Sequence, residues 1–166
     1  MAQAQEAVNA AQAEVDAAQA AKAVADQKVQ QGSFAFFETM GSSAAIQALT
    51  GSTYASRTVK GDPVDATSLE NMKNSIQYMR ECNELRARDG LGALQVNDTM
   101  MAMAQADANY SDTVVAHAMQ FNIGENCAWN GGNLDPFVQW YDEEKAEYEA
   151  TGDPSNAGHY FNIIDS

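Results

Sequence analysis

The chain carries two histidines, His117 and His159, and each stands among residues able to share its chemistry. Gly124-Glu125-Asn126 follows His117 after a short interval, and Gly158-His159-Tyr160 lies near the end of the sequence. Between them runs Trp140-Tyr141-Asp142-Glu143, with a further carboxylate at Glu144. Two imidazoles with one or two carboxylates suit Zn²⁺ or a similar divalent ion, which accepts nitrogen and oxygen donors and can keep a position for water. Without a metal, the same groups make a pH-sensitive hydrogen-bond network, because carboxylates favour the protonated imidazole. Cys82 and Cys127 are too few to form a zinc site alone; they either pair once or serve as buried thiols. A Cys127–His nucleophile is conceivable on paper, but a buried structural thiol is the better reading.

These residues must be positioned by a largely helical frame. Residues 2–31 contain no Gly or Pro and are rich in Ala, Gln, Glu, Lys and Val, which favours helix. Val8, Val15 and Val29 recur on a heptad spacing with Lys22 in the same row, and Ala4, Ala11, Ala18 and Ala25 form the companion row. This predicts an alanine-rich, coiled-coil-like arm, a solvated stalk or a surface for self-association. Gly32 and Ser33 stop it, and Phe34, Phe36 and Phe37 are too apolar for a free linker. Residues 32–66 are therefore a connecting segment that docks on the domain, with one short helix over 42–49 and a loop over 51–65.

The main domain is expected over 67–166. Thr67-Ser68-Leu69-Glu70 has the capping-box pattern and opens a helix with apolar positions at Leu69, Met72, Ile76 and Met79, ending near Asp89-Gly90. A second helix follows Asn97-Asp98, with Met100, Met101, Ala104 and Ala108 as its core stripe. A turn at 130–133 precedes a third helix, capped by Asp135 with Pro136 at its first position and bearing Phe137, Trp140, Tyr141 and Tyr148. Residues 160–164 have the apolar character of a short strand, giving an α+β pattern.

The order of these motifs resembles the CAP superfamily of cysteine-rich secretory, antigen 5 and pathogenesis-related 1 proteins. The signatures are GEN at 124–126, WYDE at 140–143 and GHY at 158–160, with Asn83-Glu84-Leu85-Arg86 and Asp89-Gly90-Leu91 similar to bacterial members. The resemblance implies an α-β-α sandwich. It also implies a tetrad of His117, Glu125, Glu143 and His159 as ligands for Zn²⁺ or another divalent cation. Glu144 competes with Glu143, and Asn126, Tyr160 and Trp140 support the site. The family's sheet continues beyond the GHY strand, so the expectation is a domain incomplete at its C-terminus.

The resemblance implies a non-catalytic extracellular or cell-surface module whose cleft meets a protein, peptide or lipid ligand. The alternatives are a metal-assisted hydrolase acting on peptides or cell-envelope material, and a lipid- or sterol-binding module. Phe161-Asn162-Ile163-Ile164 stands where eukaryotic members have a Thr-Gln pair and a tryptophan, which weakens the case for sterol contacts made there. A formal charge of −14 argues against nucleic acid and anionic membrane surfaces, and fits divalent cations or a basic partner. No apolar run reaches the ~20 residues of a membrane-spanning helix.

Overall fold

The computed structural model describes residues 1–129 and 134–165, so the turn expected at 130–133 lies outside the described residues. Seven α-helices are described: α1 (Ala2–Gln31), α2 (Ser33–Met40), α3 (Ser43–Gly51), α4 (Leu69–Arg88), α5 (Asp98–Val114), α6 (Glu144–Thr151) and α7 (Gly158–Ile164). A π-helical turn, Val138–Glu143, leads directly into α6.

α1 buries none of its residues, and its valines stand in solvent. The chain then reverses at Gly32, whose φ of 62° lies in the left-handed region. A Cβ there would fall 2.1 Å from the Thr67 carbonyl oxygen, so only glycine permits this approach. The adjacent Ser33 N–H donates to that same oxygen at 2.7 Å, and the buried Ser33 hydroxyl donates to Gln105 on α5 at 2.9 Å. Phe34 and Phe37 on α2 are buried with Ala45, Ala48 and Leu49 of α3 and Met101, Ala102 and Ala106 of α5. This is the first of two apolar clusters, and residues 32–66 supply five of its eight buried members.

The second cluster gathers Cys82 and Leu85 from the C-terminal half of α4, Phe137 and Tyr141 from the aromatic helix, and Ala157, Tyr160 and Ile163 around α7. Arg86 crosses it. The residue is 3% exposed, and its guanidinium donates to three carbonyl oxygens, those of Gly92 (2.8 Å), Ile163 (2.6 Å) and Asp165 (2.6 Å). α4 is thereby stapled to α7, the helix that carries His159.

The expected α+β sandwich is overturned: no strand occurs among the described residues. Residues 160–164, expected as a strand, lie in α7. A lone strand would leave its backbone N–H and C=O groups unpaired, whereas a helix satisfies them internally. The helix also places Tyr160 and Ile163, three apart, on one buried face.

Smaller corrections concern caps and faces. Ser68, not Thr67, caps α4, accepting from the Asn71 N–H at 3.2 Å, because Thr67 is buried and bonded to Asp65. Leu69 and Ile76 on α4 and Met100 on α5, expected in the core, are exposed, while Gln105, Asp107, Asn109 and Ser111 are buried polar residues of α5. Asp135 does open the third helix, accepting from the Phe137 N–H at 3.0 Å. Both cysteines are free.

Candidate functional site: a His–Glu–Cys cluster and a second His–Glu pair

α5 ends on Val115, a β-branched residue at φ 55°, where the left-handed region is costly for it. The Val115 N–H donates to the Ser111 carbonyl at 2.9 Å, and the Ser111 hydroxyl donates to the Ala116 carbonyl at 2.9 Å. These bonds hold the reversal that delivers His117 to residues 123–129. That segment is non-helical and is pinned at two points. The Trp129 indole N–H donates to the Ser111 carbonyl at 2.9 Å, and the Asn126 amide donates to the His159 carbonyl at 3.1 Å.

His117 Nδ1 lies 2.6 Å from Glu125 Oε2 and 3.5 Å from Cys127 Sγ. The indole of Trp129 meets the imidazole edge-on at 6.2 Å. Behind Glu125 stands Asp107, fully buried on α5 and accepting from the Gln120 amide at 2.7 Å. Burial pushes the Asp107 carboxyl up; the Gln120 bond opposes that, and the neighbouring Glu125 carboxylate adds to it. His117, Glu125, Asp107, Met119, Phe121 and Ile123 line a cavity of about 170 Å³. On the other side, a larger groove of about 920 Å³ runs between α4, α5 and residues 123–129, with Tyr78, Met100, Ala104 and Trp129 on its walls.

His159 forms a separate pair. Its Nδ1 lies 2.5 Å from Glu144 Oε1, while Glu144 Oε2 accepts the Tyr160 N–H at 3.0 Å. Trp140 stacks on the imidazole at 5.9 Å, and Asn126 accepts from the Asn162 amide at 2.8 Å. Glu143, the residue favoured by family register, is exposed and is not the partner of His159. The π-turn explains this. Its extra residue shifts the helical register by one, so Glu144 occupies the direction that an unbroken α-helix would give to Glu143.

The expected tetrad is therefore not assembled as one ligand set. Among the described residues, the one cluster of three or more metal-capable groups is His117, Glu125 and Cys127, with donor atoms within 4.8 Å of one another. His159 and Glu144 fall outside it. The sequence pointed to Cys127 beside a histidine only as a buried thiol or a nucleophile, not as a member of this cluster, although its two-residue spacing from Glu125 was the available signal; nothing marked Asp107.

A Cys–His nucleophile needs the thiol and the orienting carboxylate on different imidazole nitrogens. Here Cys127 and Glu125 both address Nδ1 of His117. Burial, with the Glu125 charge adding to it, pushes the Cys127 thiol up to about 12, the reverse of an activated thiolate. The three side chains have the spacing of groups that could hold a metal ion.

No curated protein and no solved structure matches the chain. The sequence model of the cysteine-rich secretory protein family, CAP, matches residues 79–166, a span holding all four motifs and both histidine pairs. That match covers more than half of the chain, which belongs to the cysteine-rich secretory protein (CAP) family.

Proposed function

We propose that this chain is a non-catalytic, extracellular or cell-surface CAP module in which His117 and Glu125 form the heart of a divalent-cation site. The extracellular placement follows the habit of the family, and no described helix is long and apolar enough to cross a membrane. The observation that carries the reading is the His117–Glu125 contact at 2.6 Å on the wall of a small cavity.

The donors suit Zn²⁺. Bonds of about 2.0–2.3 Å in a tetrahedron place donors roughly 3.3–3.8 Å apart. The 3.5 Å between Cys127 Sγ and His117 Nδ1 already meets that spacing. The 2.6 Å His–Glu contact is a hydrogen bond, which opens by about 0.8 Å when a metal replaces the shared proton. The groove of about 920 Å³ beside the site is the place for a protein, peptide or lipid ligand, and the charge of −14 favours a basic one.

Calorimetric titration of Zn²⁺ into chelator-treated protein tests the site. Wild type and His159→Ala should bind alike, and His117→Ala should lose binding. Equal binding by wild type and His117→Ala would sink the proposal.

A further inference from the structure

Cys127 is a free, partly buried thiol beside His117. It has no disulfide partner, and its sulfur is turned toward an imidazole rather than into either apolar cluster. Glu125 and Cys127 both reach His117, while Asn126 between them donates to the His159 carbonyl.

We propose that Cys127 is the third protein ligand of the site, so that His117, Glu125 and Cys127 together form a mixed nitrogen–oxygen–sulfur site for a borderline-soft divalent cation of the Zn²⁺ or Co²⁺ class. The inference rests on the cation reading of His117 and Glu125 and departs from the all-His/Glu ligand set that family resemblance implies. Three observations carry it. The three donor atoms lie within 4.8 Å of one another, and the second histidine is held elsewhere by Glu144. The segment bearing Glu125 and Cys127 is fixed at Asn126 and at Trp129, so the donors are presented without a large rearrangement. The 170 Å³ cavity beside His117 and Glu125 leaves room for a fourth, exchangeable ligand such as water.

The donor set also chooses among metals. Ca²⁺ and Mg²⁺ require six or more oxygen ligands, and a thiol with an imidazole offers them nothing. Zn²⁺ and Co²⁺ accept all three donor types. Binding replaces the sulfur–hydrogen bond by a sulfur–metal bond, and the proton leaves to solvent.

The test uses the full chain, reduced and chelator-treated. Co²⁺ should produce the intense near-ultraviolet charge-transfer absorption of a sulfur–cobalt bond. Cys82→Ser should keep that band, and Cys127→Ser should lose it. Zn²⁺ affinity in Cys127→Ser should fall by more than the roughly 10–100-fold that outer partners of a metal site are worth. In wild type, a readout that needs no variant, Zn²⁺ should protect Cys127 from iodoacetamide and leave the alkylation of Cys82 unchanged. Zn²⁺ binding at wild-type affinity by a folded Cys127→Ser, or Zn²⁺-bound wild type alkylated at Cys127 at the metal-free rate, overturns thiol ligation while leaving the His117–Glu125 site standing. Absence of Zn²⁺ and Co²⁺ binding by wild type overturns both.

Discussion

Replacing Arg86 with alanine removes the hydrogen bonds that tie α4 to the helix carrying His159. Three hydrogen bonds from a charged donor are lost, to the carbonyls of Gly92, Ile163 and Asp165. Gly92 and Asp165 are exposed, so water replaces their lost partner. The bond to the buried Ile163 is the costly one, at about 1.5–3 kcal/mol for a charge-assisted bond. Part of that is recovered because the variant no longer buries a cation, whose desolvation costs several kcal/mol in its own right, and part is added by the lost packing of the stem. A net loss of ~1–3 kcal/mol follows. For a chain of this length each kcal/mol moves the melting temperature by about 2–4 °C, so a fall of roughly 2–12 °C is expected. Urea unfolding followed by circular dichroism measures the loss. Tryptophan fluorescence reports locally, because Trp140 stacks on His159. Arg86→Met separates packing from polarity, since it keeps the apolar stem. If Arg86→Ala and Arg86→Met both stay within about 1 kcal/mol of wild type, the staple is not what holds α7.

Two further outcomes follow from the same region. Glu144→Ala should destabilise the fold by ~1–3 kcal/mol, because it strips partners from His159 and from the Tyr160 N–H, whereas Glu143→Ala should stay within about 0.5 kcal/mol; chemical denaturation of the two variants decides, and equal effects would refute the register shift. Asp89 is held below the usual carboxylate range, first by its hydrogen bond from Lys145 and then by that from Tyr141. A depressed folded value means the unfolded chain binds the proton more tightly, so this stabilisation is present above the unfolded pKa of about 3.9 and is lost as pH falls through the folded value. Stability measured against pH should therefore fall less steeply below pH ~4 in Asp89→Asn than in wild type, and parallel curves would refute the pairing.

Much of the helical frame was legible in the residues. The arm is marked by the absence of Gly and Pro over 2–31, the end of α4 by Asp89-Gly90, and the start of the aromatic helix by Asp135-Pro136. These are local signals, and caps and composition act locally. The failures were non-local. Residues 160–164 carry apolar side chains that suit a strand or a helix equally, and the choice depends on what lies alongside. With Tyr160 and Ile163 packed on Leu85 and Phe137, and Arg86 taking the last carbonyls, the helix prevails. The buried polar stripe of α5 was equally hidden, because Gln105, Asp107 and Asn109 are tolerated inside only through partners distant in sequence, namely Ser33, Gln120 and Asp65.

The sequence by itself determined the family and the identity of the groups that could do chemistry, since motif order and residue type need no coordinates. Tertiary structure decided which of them meet. His117 found Glu125 and Cys127, and His159 found Glu144 instead of Glu143. The physical reason is that hydrogen bonding and ligation act over about 2–4 Å, a scale on which one extra residue in a π-turn redirects a carboxylate. No spacing along the chain records that shift.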